Sequence, residues 1–222
     1  MKTVEIKSWP NFHEEIIKVY GGTYVFRGVS NLEAFKLISR VGRSPLYDAL
    51  REKSLLDEFK KRATPYLKIQ PANEWDWLAI AQHHGLPTRL LDWSTSPLVA
   101  AYFAVNGDKE HSNTDAAVYG ISTTCFREAE ENLDPLSLGP PVQLLFPRHI
   151  TPRIAAQSGV FTVHPEPQTP FTHNELHRFV ISKELKSLFR QSLSLYGLHA
   201  GALFPDLEGQ AELITWKSRL EL

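Results

Sequence analysis

Leu98 to Val105 reads LVAAYFAV, which is apolar around the whole circumference of a helix. A helix with no polar face has to be buried on all sides, so it belongs at the centre of a fold. Pro97 suits the first helical position and Ser96 can cap it, while Thr88 to Trp93 reads as a short extended segment leading in. Such a helix needs other elements around it. With 222 residues, 42% hydrophobic and 22% charged, the chain has enough apolar surface to build that core and is not disordered by default.

The surrounding elements can be read from periodicity and punctuation. Lys2 to Ile6 alternates like a strand, and Ser8 followed by Pro10 opens a helix to about Tyr20, stopped by Gly21-Gly22. Thr23 to Arg27 is rich in β-branched and aromatic residues and ends at Gly28, the pattern of a strand. After a loop carrying Arg40 and Arg43, Pro45 to Ala63 sets Leu46, Leu50, Leu56 and Phe59 along one helical stripe among charged residues. Asn73 is placed to cap a helix through Gln82, with Glu74 and Asp76 in its first turn and Gly85 and Pro87 ending it.

Beyond Val105 the signals turn to strands: Ala116 to Ile121, Val142 to Phe146, Phe161 to His164 and Leu176 to Ile181. Ser182 is expected to cap a helix from Lys183 to Tyr196 that stops at Gly197, and Pro205-Asp206 starts a last helix through Trp216. This order predicts an α+β fold, a helical first half packed on a mostly antiparallel or mixed sheet drawn largely from the second half. No internal repeat divides the chain, so residues 1–222 are expected to form one domain.

Twenty-four basic and 25 acidic residues leave a net charge of −1, so no global field draws the chain to nucleic acid or to an anionic membrane. A local basic cleft stays open. Cys125 is the only cysteine, which excludes an internal disulfide and a cysteine-rich zinc site. With no apolar stretch of membrane-span length, the expected location is the cytoplasm.

The polar groups able to do chemistry are concentrated from Gln82 to Ser96, in otherwise apolar company. Buried polar groups need partners or a ligand. Arg89 and Asp92 read as partners, with Arg89 also open to a substrate anion. Ser94, Thr95 and Ser96 stand at the mouth of the apolar helix, where free amides favour a phosphate. In the alternative reading Ser96 caps, Thr95 packs and Ser94 faces solvent. His83 and His84 point about 100° apart on a helix, so at most one faces the site and the pair cannot ligate one metal. His173 and His177 have metal-ligand spacing but lie in a strand-like segment with no third ligand, and no metal is expected. Arg27, at a strand end before Gly28, offers a fork of donors suited to phosphate or carboxylate, and Gly28 lets a backbone or ligand come close. No nucleophile elbow and no phosphate-cradling glycine loop occurs.

The tripeptide Phe26-Arg27-Gly28, the run Gln82-His83-His84-Gly85-Leu86-Pro87-Thr88-Arg89-Leu90-Leu91-Asp92-Trp93 and the run Pro97 to Ala104 together resemble the FRG domain family. Pro152 to Phe161 and Ala202 to Leu207 are further echoes. A strand ending in arginine, then a strand leading into Ser-Thr-Ser and an apolar helix, also resembles the R-S-E type of ADP-ribosyltransferase. That second resemblance implies an ADP-ribosyltransferase-like fold and NAD as substrate, with Arg27 on the NAD phosphates, Gly28, Arg89 and Asp92 beside it, and Ser94-Thr95-Ser96 as the serine motif. Gln210-Ala211-Glu212 has the spelling of the third motif and makes Glu212 a candidate catalytic acid, although its segment reads as helix where the motif belongs on a strand. Asp206 or Asp92 can take that role, and Trp93 or Tyr102 can stack on the nicotinamide.

The implied activity is NAD-dependent ADP-ribosyl transfer, in a toxin or bacterial antiviral defence effector, to an acceptor macromolecule that the sequence does not identify. Two other readings stand beside it: a non-catalytic module that binds a nucleotide or a partner protein, and a hydrolase with His83 or His84 as base. Arg27, one of the two histidines, Arg89 and Ser94 are expected to approach one concave pocket, and the transferase mapping falls if Arg27 lies far from Ser94.

Overall fold

In the computed structural model, which describes residues 1–45, 47–67, 69–106, 113–148 and 151–218, the apolar helix α4 (Pro97–Val105) lies flat on a sheet. Its residues Val99, Ala100, Ala101 and Ala104 are all but fully buried. The contact with the sheet depends on Gly28, where a Cβ would collide with the Ala100 carbonyl and the Ala104 amide of α4. The glycine after Arg27 therefore serves a close approach of backbone, and the helix is what approaches.

The sheet has eight strands: β1 (Lys2–Ile6), β2 (Tyr24–Val29), β3 (Leu90–Ser94), β4 (Ala116–Ser122), β5 (Arg127–Glu128), β6 (Gln143–Leu145), β7 (Gly159–Val163) and β8 (His177–Ile181). Their spatial order is β1-β8-β4-β2-β3-β7-β6-β5. The β1–β8 and β5–β6 pairs are parallel and the others antiparallel, so the sheet is mixed and the fold is α+β. Five of these eight strands come from the second half, but β2 and β3 from the first half stand at its centre.

Alternation along the strands separates two cores. Phe26, Val118, Phe179 and Ile181 point to the face covered by α1 (Trp9–Val19), α4 and α6 (Lys186–Leu195), where Phe12, Ile16, Phe189 and Leu193 meet them. Each such fully buried side chain contributes about 1.5–3 kcal/mol relative to exposure. Val25, Leu91, Trp93, Tyr119 and Ile121 point to the opposite face, under Leu37, Phe171 and Leu176. A third cluster joins α2 (Ala49–Ala63) and α3 (Glu74–His83) to Leu90, Phe161 and Val163.

Local signals placed the helix starts well. Ser8, Asn73 and Ser96 each accept a hydrogen bond from the amide three residues on. Two helix starts differ from expectation. The first helix of the loop after Arg43 starts at Ala49 under an Asp48 cap, and Leu46 lies outside the described residues. Ser182 makes no side-chain cap, because Lys183–Leu185 forms a 3-10 turn before α6 begins at Lys186. Three further helices, α5 (Pro152–Ala156), α7 (Ala200–Leu203) and α8 (Leu207–Ser218), complete the fold. Among the described residues no helix is long and apolar enough to cross a membrane.

Between β2 and β3 the ladder has one pair, Phe26 with Ser94, whereas β2 pairs with β4 at six positions and β3 with β7 at five. The two central strands part company beyond that pair. Their diverging edges leave backbone groups without ladder partners, and a fork in a sheet is where other groups can enter.

Candidate functional site

At that fork lies a cleft of about 890 Å³. Its walls come from β2, β3, the C-terminal end of α3, the first turns of α4, the loop after β2 and α5. Among the described residues, the basic side chains lining it are Arg27, Lys36, Arg40, Arg43 and Arg153, and the one carboxylate is Asp92. In a chain of near-zero net charge this is a concentrated positive site, the kind of local field that collects anions.

Arg27 spans the fork. Its Nη1 donates to the Asp92 carbonyl at 2.5 Å and stands 3.5 Å from the Asp92 carboxylate. Its Nε is buried and donates to nothing among the described residues. A buried, charged donor without an acceptor is costly unless a ligand supplies one. Asp92 is held from the other side by a relay set on the end of α3. Thr88 Oγ1 donates to Gln82 Oε1 at 2.8 Å, which fixes the amide so that Gln82 Nε2 donates to Asp92 Oδ2 at 3.0 Å. The residues Gln82, Thr88 and Asp92 thus aim one half-exposed carboxylate into the cleft.

Arg89 is not part of this arrangement, and its expected pairing with Asp92 does not form. It turns to the opposite side of β3, where Nε and Nη2 reach Glu52 Oε1 and Oε2 at 3.1 and 2.8 Å and Nη1 reaches the Leu136 carbonyl at 3.1 Å. The physical reason is the strand itself. Side chains three positions apart in an extended segment point to opposite faces, so Arg89 and Asp92 cannot share a partner face. Arg89 is fully engaged inside the protein and does not line the cleft.

The serine run divides differently from either reading of the sequence. Ser94 lines the cleft but is buried, its hydroxyl donating to the Gln157 carbonyl at 2.7 Å and accepting from the Ser96 amide at 3.0 Å. Thr95, expected to pack, is exposed, and Ser96 caps α4 through the Val99 amide. The one ladder pair between β2 and β3 requires Ser94 to turn inward, and its hydroxyl ties β3 to α5 rather than facing solvent.

Both histidines line the cleft, against the expectation of one, because α3 ends at His83 and His84 falls on its C-cap. Their rings meet edge to face at 4.7 Å. Burial, then the neighbouring His84 and Arg153, pushes the His83 pKa down to about 4, so His83 is neutral near pH 7.

Glu212 lies on α8, is exposed, and lines a separate small recess with Tyr102. The helix read from the sequence holds, and it carries Glu212 away from Arg27. Tyr102 faces that same recess, and Trp93, though it borders the cleft, is buried in the core and donates Nε1–H to Thr162 at 2.8 Å. Asp206 does not line the cleft. Of the pocket expected from the sequence, Arg27, His83, His84, Gly28, Asp92 and Ser94 come together, while Arg89, Thr95, Ser96 and Glu212 stand outside it.

Sequence reasoning gave no role to Lys36, Arg40, Arg43 and Arg153. Arg40 donates to the Gly85 carbonyl at 2.8 Å, and Arg43 donates to the Ile38 carbonyl at 3.1 Å. Desolvation by the cleft walls, then the nearby charges of Arg27 and Arg40, lowers the Arg43 pKa. The available signal was the recurrence of basic residues in the loop just after the Arg27 strand.

This is a mixed-sheet α+β domain with a basic cleft at a fork between its central strands. Residues 22–113 match the FRG domain family model. The match takes in the Phe26-Arg27-Gly28 tripeptide and the Gln82 to Ala104 segment, hence the whole Arg27–Asp92–Gln82 relay, and stops short of Arg153. No curated protein and no solved structure matches the chain.

Proposed function

We propose that the cleft binds NAD as a substrate and that the domain is an NAD-dependent ADP-ribosyltransferase. The observation that carries this reading is the unpartnered Nε of Arg27, a fixed guanidinium at the fork of the sheet, beside the one carboxylate of a cationic cleft. A pyrophosphate supplies the acceptor oxygens that Arg27 lacks, with Arg40 and Arg43 around it. A cleft of about 890 Å³ is large enough for a dinucleotide.

In the reaction the bond between ribose C1′ and the nicotinamide nitrogen breaks, and its electron pair leaves with neutral nicotinamide. A lone pair of the acceptor forms the new bond to C1′, and the acceptor's proton passes to water. Positive charge grows on the ribose as the leaving group departs. A carboxylate held in place at that moment stabilises it without reorganising. Asp92 takes this role in place of Glu212, because Gln82 and Arg27 hold it at the cleft while Glu212 faces elsewhere. Ser94 acts through the scaffold, fixing the end of β3 against α5.

The test is nicotinamide release from NAD, measured for the parent, Arg27→Ala and Asp92→Asn, together with the rise in melting temperature that NAD produces. Asp92→Asn should keep the NAD-dependent rise and lose about 100-fold or more of the release rate; Arg27→Ala should lose both. A parent protein with neither release nor stabilisation at millimolar NAD would end the reading. Stabilisation without release would leave a nucleotide-binding module.

A further inference from the structure

Apart from Lys36, the basic side chains of the cleft fall into two sets. Arg27, Arg40 and Arg43 form the first, close enough that Arg27 and Arg40 both bear on Arg43. Arg153 carries the charge of the second, beside the His83 ring, which is neutral near pH 7 and meets the His84 ring edge to face. Asp92 bears on Arg43 and, after Asp206, on His83. A dinucleotide brings two phosphate charges, and the first group alone matches them. The second group has no counterpart in that ligand.

Arg153 is also built to hold something. It stands in the first turn of α5 with its guanidinium carbon 4.4 Å from the centre of the Phe204 ring, a cation–π contact that occupies one face and leaves the planar edge free. Among the described residues no protein acceptor takes any of its side-chain donors, and it forms no ion pair. His83 and His84 add ring nitrogens on the same wall.

We propose that Arg153, with His83 and His84, is a second anion subsite that holds a phosphate of the molecule receiving the ADP-ribosyl group. This rests on the transferase reading above and narrows it: the acceptor is a phosphate ester of a nucleotide, either free or within a nucleic-acid strand. A near-neutral net charge agrees with a local contact of a few phosphates and with no long electrostatic track.

The experiment measures binding without NAD. A fluorescein-labelled single-stranded oligonucleotide is titrated by anisotropy across a range of salt, and AMP is compared with adenosine by melting temperature. Arg153→Gln should weaken oligonucleotide binding about tenfold at low salt, the loss of a charge-assisted contact, and reduce the salt slope by about 0.7. Arg153→Lys, which keeps the charge over Phe204, should show a smaller loss and decides the matter if the glutamine variant does not fold. AMP binding without strand binding assigns a free nucleotide, and strand binding assigns nucleic acid. A parent that binds neither, or variants that bind as the parent does, would overturn the subsite. Should NAD fail to stabilise the parent while Arg153-dependent binding persists, the transferase reading falls and a phosphate subsite without the acceptor role is left.

Discussion

Arg27 and Arg89 are both arginines of the same motif region, and both face a carboxylate, yet they stand in opposite conditions. The Arg89 and Glu52 side chains are 3% and 2% exposed, and every arm of that guanidinium has an acceptor. The Arg27 and Asp92 side chains are 16% and 58% exposed, their closest approach is 3.5 Å, and Arg27 Nε is left without a partner. Saturation, more than residue type, separates a clamp from a binding group. The first pair joins α2 to β3 and closes the fold; the second joins β2 to β3 where they part, and is incomplete as it stands.

The sharpest way to break this comparison is to cut the buried pair. Arg89→Ala leaves the Glu52 carboxylate enclosed with no counter-charge, and removal of one partner of a buried pair costs about 3–5 kcal/mol. Urea unfolding followed by tryptophan fluorescence should show a loss of that order. A loss below about 1 kcal/mol would mean that Arg89 is not the closed clamp described, and would reopen it as a ligand-binding group.

A smaller effect should appear on acidification. His164 is buried, with its Nε2 2.9 Å from Thr162 Oγ1. Burial, and then the Arg27 charge, pushes its pKa from 6.5 down to about 4. Since the folded-state value lies below the unfolded one, the unfolded chain takes up the proton first as pH falls. The stabilisation is therefore fully present above about pH 6.5 and is lost progressively as pH drops toward about 4. One proton sets a limit of about 1.4 kcal/mol per pH unit on this slope. His164→Gln should flatten the dependence of unfolding free energy on pH across that window, and Arg27→Ala should raise the His164 pKa measured by NMR. An unchanged slope in His164→Gln would assign the acid sensitivity to other groups.

What could be read from the chain tracks how local each determinant is. The caps Ser8, Asn73 and Ser96 and the central helix α4 depend on residues within a turn of one another, and these were legible. Arg27, His83, His84 and Asp92 could be nominated because their residue types stood out from apolar neighbours. Their partners could not. Whether Asp92 meets Arg89 or Arg27 is decided by the single β2–β3 pair, Phe26 with Ser94, between segments more than sixty residues apart in sequence. Glu52 sits on the helix that periodicity marked as a surface element, and nothing in that pattern announced that one of its carboxylates is buried against Arg89. Gly28 was legible as a point of close approach, but the approaching group, α4, was not. Glu212 shows the converse case: a three-residue spelling matched, and the helix that carries it lines another recess of the molecule.

The smallest expected change in stability tests the open pair. Asp92 is mostly in water, so its Coulomb attraction to Arg27 is screened and the pair contributes at most about 1 kcal/mol. Removing the guanidinium also removes a buried nitrogen that has no acceptor, which offsets part of the lost bond to the Asp92 carbonyl. Arg27→Ala should thus unfold within about 1 kcal/mol of the parent in urea, far from the loss expected of Arg89→Ala. The same variant should lose any NAD-dependent rise in melting temperature, while a variant of Arg89 that still folds keeps it. If Arg27→Ala unfolds as readily as Arg89→Ala, then Arg27 is a structural tie across the fork, and the unpaired Nε no longer speaks for a ligand.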